Sequence, residues 1–125
     1  MNNEMKELAR LAADCEGWRW MEGMRVARPD LEKWCRITAE HDGRVFLTDP
    51  GQRSTSTDIM LPDLNDPATK GCLLELVREA WGDDDISPRY QSGSWFIHTS
   101  EHQITADSYV EVLVLALEVA QEVAK

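Results

Sequence analysis

Apolar residues near the N-terminus recur at intervals of three and four positions. This spacing places them on one side of a helix, so it predicts a short amphipathic helix over residues 3–15. Asn3 can cap the first turn, and Gly17 follows the predicted end. The apolar side consists of Met5, Leu8, Leu11, Ala12 and Cys15.

The pattern then changes to one typical of β-structure. Two β-prone runs flank the dipeptide Asp42-Gly43, which readily adopts the positive φ angles of a tight turn. Residues 33–49 are therefore predicted to form a β-hairpin.

Residues 50–65 are rich in Pro, Gly, Ser and Thr, and they predict a polar loop. A further strand is expected at residues 95–98. It would pair with residues near Tyr90 across a turn at Ser92-Gly93.

The clearest predicted element is a helix over residues 67–81. Asp66 is a good N-cap, Pro67 suits the first helical position, and Gly82 suits the C-cap. Its apolar stripe consists of Leu73, Leu74, Leu76, Val77, Ala80 and Trp81.

A second long helix is predicted over residues 106–124, where Ser108 and Glu111 have the spacing of a capping box. Residues 109–115 are also dense in β-branched side chains, so a strand is the alternative there. The strongly polar positions form one narrow stripe: Glu111, Glu118, Gln121 and Glu122. A helix this apolar must be covered on several sides, by its own sheet or by another subunit.

These elements predict one α+β domain spanning residues 1–125. We expect a small antiparallel sheet of three to five strands, with the helices at 67–81 and 106–124 packed against it. Because the last helix has apolar surface to spare, a homodimer is expected.

Charge is distributed unevenly between the two halves of the chain. The 13 basic and 23 acidic residues give a net charge of −10. Residues 1–62 contribute nine basic and eleven acidic residues, a net of −2, and residues 63–125 contribute four and twelve, a net of −8. This excess disfavours direct binding of duplex nucleic acid. It leaves a local arginine cluster for a small anion, an acidic face for a basic protein, or merely solvated acidic surfaces.

Cysteines and histidines offer little sign of metal or redox chemistry. Cys15, Cys35 and Cys72 form no disulfide framework or Cys-x-x-Cys pair, and a reducing, cytoplasmic setting fits them best. Cys15 and Cys72 are predicted core residues. His98 and His102 would lie across a strand end and a loop, so their rings need not converge on a metal.

The same patterns disfavour membrane insertion, secretion and catalysis. There is no apolar run of about 18 residues and no secretory signal pattern, so we expect neither a membrane span nor export. Neither the loop hydroxyls of residues 54–57 nor a Cys35–His41 dyad comes with the groups that would activate a nucleophile, so a protein without catalytic residues or a cofactor is favoured.

Two segments resemble parts of small phage and prophage proteins of unknown function. Residues 61–82 read LPDLNDPATKGCLLELVREAWG, and residues 17–24 read GWRWMEGM. The order of a Trp-containing strand and a long apolar helix is similar to phage proteins described as α-β-α sandwich domains. The resemblance implies an accessory protein made in a bacterial host, of the kind that blocks host defences. It implies no catalytic residues.

The most unusual stretch is residues 18–25, which hold two tryptophans and two arginines. Aromatic faces can stack on a base and guanidinium groups can pair with phosphate, which predicts a site for a small anionic ligand such as a cyclic nucleotide. The candidate ligand-binding residues are Trp18, Arg19, Trp20, Arg25, Lys70 and His98. The alternative for this stretch is structural, with both tryptophans covering the core.

Two functions therefore remain open. For a phage accessory protein, which the resemblance implies, the Trp/Arg stretch favours an anti-defence protein that sequesters a cyclic nucleotide signal without altering it. The alternative is an acidic inhibitor that occupies the basic nucleic-acid-binding surface of a defence nuclease, as anti-CRISPR proteins do. In that case Asp83, Asp84 and Asp85 are the candidate docking residues.

Overall fold

The fold combines three helices with two antiparallel sheets in the described part of the chain, which confirms the α+β class. The computed structural model describes residues 3–28, 33–41, 44–47, 60–99 and 101–123. The elements in order are α1 (Asn3–Asp14), β1 (Arg25–Arg28), β2 (Lys33–His41), β3 (Arg44–Leu47), β4 (Leu61–Pro62), α2 (Pro67–Trp81), β5 (Arg89–Gln91), β6 (Ser94–His98), β7 (Gln103–Ala106) and α3 (Tyr109–Val123).

The first sheet has the strand order β3-β2-β1-β4. Strands β2 and β3 pair antiparallel, so the predicted hairpin is confirmed, while its turn at Asp42-Gly43 lies outside the described residues. Strand β1 pairs with β2 on one side and with β4 on the other. Val26, Cys35 and Ile37 are buried on the inner side of this sheet.

Strand β4 corrects the prediction of a polar loop over residues 50–65. Leu61 and Pro62 pair with β1, and Met60, Leu61 and Leu64 are buried. A strand of two residues is too short to show an alternating apolar pattern, and the segment before it is polar, so the sequence does not predict this strand. Residues 50–59 lie outside the described part of the chain.

The second sheet, β5-β6-β7, confirms the predicted strand at 95–98 and its pairing near Tyr90. Ser92 and Gly93 both have positive φ angles, 54° and 85°, as the predicted tight turn requires. Strand β7 pairs with β6 and was not predicted.

Helix boundaries follow the capping residues. Asp66 accepts a hydrogen bond from the Thr69 backbone N–H, and Gly82 closes α2 in a left-handed conformation, so both predicted caps are confirmed. Helix α3 begins at Tyr109 rather than at 106, because residues 103–106 belong to β7 and the Ser108 hydroxyl accepts from the Glu111 N–H. The alternative strand over 109–115 is wrong.

Helix α3 is the centre of the core. It packs against α1, α2, β6 and β7, and the Trp81 indole donates to the Ala116 carbonyl at 2.9 Å. Its buried residues are Val110, Val112, Leu113, Val114, Ala116, Leu117 and Ala120. A homodimer is expected from the sequence because α3 has apolar surface to spare. Elements of the same chain cover most of that surface, so α3 no longer supports this expectation. In the described part of the chain, no helix has the length and apolar character needed to cross a bilayer.

Candidate functional site

Trp18 and Trp20 lie between α1 and β1 and pack against each other and the core. Their ring centroids are 5.4 Å apart in an edge-to-face arrangement, and both side chains are half-buried. The Trp18 indole N–H is buried and has no hydrogen-bond partner among the described residues. The two rings thus contribute to the core surface, as the structural alternative for this stretch expects.

Arg19 points to α2. Its guanidinium forms a bidentate ion pair with Glu79, and the bond from Nη2 to Oε1 is 2.8 Å long. This hydrogen bonding lowers the pKa of Glu79 and raises that of Arg19. Both side chains are about half exposed, so the pair fixes the direction of Arg19 more than it stabilises the fold.

Arg25 lies on β1, apart from the Arg19–Glu79 pair. Its Nη1 donates to the Asp63 carboxylate at 3.1 Å, and its backbone N–H donates to the Thr69 hydroxyl at 2.9 Å. Its guanidinium carbon lies 4.6 Å from the centre of the Trp34 ring. Among the described residues, Arg25 thus has a different aromatic neighbour from the two that the sequence suggested.

Arg36 belongs to the same region, although the sequence did not single it out. It is the direct register partner of Arg25 on β2. Its Nη1 and Nη2 atoms donate to the two carboxylate oxygens of Asp66, and Nη1 also donates to the Gly23 carbonyl. Hydrogen bonding from Arg36 is the main cause that lowers the pKa of Asp66 to about 2. A contact across 30 residues leaves no local pattern from which it could have been predicted.

Lys70 and His98 lie on other elements than the tryptophans. Lys70 is in the first turn of α2, where its own N–H bonds the Asp66 carbonyl. His98 is exposed on β6, in the other sheet, and its ring stacks on Phe96 with centroids 6.2 Å apart. The six predicted site residues are therefore distributed over α2, the 18–25 segment and two different sheets.

The described residues include no group of three or more His, Cys, Asp or Glu side chains placed to hold a metal ion. The His102 ring instead lies beside the Trp81 ring, with the two ring centroids 5.6 Å apart. All three cysteines are free thiols. Burial, followed by the charges of Glu118 and Asp14, raises the pKa of Cys15 to about 11, and burial also raises the pKa of the half-buried Cys72. Raised values disfavour the reactive thiolate form.

Most acidic residues of the C-terminal half are not neutralised within the described chain. Asp63, Asp66, Glu75 and Glu79 are paired with arginines. In the described ranges no ion pair involves the other eight carboxylates of this half, which are Asp83, Asp84, Asp85, Glu101, Asp107, Glu111, Glu118 and Glu122. The ion pairs thus occupy several arginines and leave an excess of unpaired negative charge.

Comparisons with known protein families, with curated proteins and with solved structures find no match to this chain.

Proposed function

We propose that this protein acts by binding, without catalysis, and that its acidic C-terminal half docks on a basic surface of a partner protein. The observation that supports this best is the separation of charge. Arg19, Arg25 and Arg36 are held by carboxylates inside the chain, whereas eight carboxylates of the C-terminal half have no ion-pair partner in the described part.

The α2–β5 loop is the favoured centre of this docking surface. Asp83, Asp84 and Asp85 follow one another there, and Asp84 and Asp85 are exposed. The Asp83 carboxylate accepts from the Asp85 backbone N–H at 2.9 Å, which orders the turn and presents the other carboxylates to solvent. Clustered charge of one sign accelerates the encounter with a surface of opposite sign.

The resemblance to phage and prophage proteins supplies the biological setting of the proposal. The partner would be a bacterial defence protein with a basic nucleic-acid groove, encountered in the host cytoplasm. A protein surface of aspartates can occupy such a groove because it offers the negative charge that the groove is built to receive.

Sequestration of a cyclic nucleotide by the 18–25 segment receives less support. Arg19 is engaged with Glu79, and Trp18 and Trp20 pack on each other and on the core. The observation that still favours an anionic ligand is the contact of Arg25 with Trp34, and it places the candidate site on strands β1 and β2.

Affinity capture from a bacterial lysate tests the docking proposal. The tagged chain is compared with an Asp83→Asn, Asp84→Asn, Asp85→Asn variant, in which the side-chain carbonyl at position 83 can still accept the turn hydrogen bond. The matched control removes three exposed carboxylates of the other half, by Glu4→Gln, Glu7→Gln and Glu16→Gln. We expect a basic protein that the wild type and the control retain and the triple Asn variant loses. Equal retention by all three contradicts the proposed surface.

A further inference from the structure

The outer face of the four-stranded sheet carries a cluster of arginine and tryptophan side chains. Arg25 pairs in register with Arg36, and Ala27 pairs with Trp34, so these four residues point to the same side of the sheet. The residues between them, Val26 and Cys35, point to the core and are buried. Trp34 lies on the outer side and is 42% exposed, whereas tryptophan is usually largely buried.

This face holds two guanidinium groups at directly opposed positions, where like charges repel. The repulsion is offset by Asp63 and Asp66, which pair with Arg25 and Arg36 respectively. The two carboxylates are nearly buried, with 9% and 10% of their side chains exposed, whereas the two arginines are 40% and 42% exposed. The positive groups therefore face solvent, and the negative groups lie beneath them.

Arg25 is oriented for a ligand by the two contacts that it makes. The guanidinium carbon lies over the Trp34 ring, 4.6 Å from its centre, and this cation–π contact uses none of the N–H donors. A guanidinium has five N–H donors, and within the described residues the Arg25 side chain uses only Nη1, which donates to Asp63. Arg25 can thus pair with a phosphate while it stays on the ring.

We propose that Arg25 and Trp34, with Arg36 beside them, form a binding site for a nucleotide. The phosphate pairs with the edge of the Arg25 guanidinium, and the base stacks on the exposed part of Trp34. All four residues of this face belong to residues 1–62, which have a net charge of only −2, whereas residues 63–125 have a net charge of −8. This site does not depend on the proposed docking surface around Asp83.

Calorimetric titration of the purified chain tests the site. The probes are AMP, a cyclic dinucleotide of adenine, adenosine and inorganic phosphate. Binding of a nucleotide at least about tenfold tighter than adenosine and phosphate is expected, because it alone offers both the base and the charge. AMP and the cyclic dinucleotide share this chemistry, and their relative affinities distinguish the two sources. A chain that binds neither nucleotide, or binds phosphate equally well, contradicts the proposal.

Four variants separate the site from the fold. Arg25→Gln and Trp34→Ala are each expected to weaken nucleotide binding about tenfold or more, since they remove the charge-assisted contact and the stacking surface. Trp34→Phe keeps an aromatic ring and should restore most of the affinity, which guards against a loss caused by misfolding. Arg19→Gln removes an arginine elsewhere and should leave binding unchanged. Equal affinity of Arg25→Gln and the wild type overturns the assignment.

Discussion

Asp66 joins the helix α2 to the four-stranded sheet through a single carboxylate. It caps α2 by accepting from the Thr69 N–H and hydroxyl, and it pairs with Arg36 on β2. Because Asp66→Ala removes both contacts, we expect it to lower the free energy of unfolding by about 1–2 kcal/mol or more. Urea unfolding measures this loss. Asp84→Ala, which removes an exposed carboxylate in a loop, should cost less than about 0.5 kcal/mol.

The same carboxylate predicts a dependence of stability on pH. Its pKa is lowered from 3.8 to about 2, mainly by the hydrogen bonds from Arg36. The folded state therefore favours the charged form, and this contribution is complete above the ordinary pKa and is lost as the pH falls from 3.8 to about 2. Unfolding midpoints measured from about pH 6 down to about pH 2 should fall less steeply at the acid end in Asp66→Asn than in the wild type. Parallel curves would contradict this role.

At the residue scale, the sequence predicted what depends on neighbours along the chain. The Asp66 and Gly82 caps and the Ser92-Gly93 turn were all found where local chemistry placed them. The pairing of Arg25 with Asp63 and its contact with the Trp34 ring depend on strand register, and the four residues of β1 carry no pattern that predicts this register.

Helix α3 approaches the segment after α1 closely at one glycine. A Cβ added to Gly17 would lie 3.0 Å from Leu117 Cδ1 and 3.5 Å from the Ala80 Cβ. We expect Gly17→Ala to destabilise the fold by about 1 kcal/mol, since Leu117 is fully buried and has little room to move.

A double-mutant cycle tests whether this crowding is the cause. Leu117→Ala should cost about 2–5 kcal/mol by leaving a cavity. Added to Leu117→Ala, the Gly17→Ala change should be neutral or slightly stabilising, because the new methyl group then has space. Additive losses in chemical denaturation would show that Gly17 is required for another reason.

At the scale of elements, length decides what the sequence reveals. Helix α2 was predicted with its observed bounds because 15 residues carry a full stripe and two caps. Strands β1, β4 and β7 have four residues or fewer, and their burial comes from the partners they find rather than from a period of their own. The predicted start of α3 at residue 106 is wrong, because Ala106 belongs to strand β7.

At the scale of the whole molecule, coverage of α3 changes the expected oligomeric state. Its apolar residues meet α1, α2 and the second sheet within one chain. We therefore expect light scattering at micromolar concentration to give the mass of a single chain, 14.2 kDa. Twice that mass would show that a different surface mediates self-association.

The sequence shows the uneven distribution of charge, but it does not show which carboxylates pair with the arginines. Composition alone left both an anion site at residues 18–25 and an acidic docking face open. The fold engages Arg19, Arg25 and Arg36 with carboxylates that lie 30 to 60 residues away. These long-range ion pairs offset part of the positive charge, whereas eight carboxylates of the C-terminal half have no ion-pair partner among the described residues.

We propose that Asp83, Asp84 and Asp85 steer this protein to a basic partner. The most direct test of this claim is the association rate with the purified captured protein, measured at about 50 mM and about 300 mM salt, where screening of exposed charges differs strongly. For the wild type we predict a decrease on the order of tenfold at the higher salt. The triple Asn variant should associate more slowly at low salt and depend less on salt. Equal rates and equal salt dependence for the two proteins would contradict the claim.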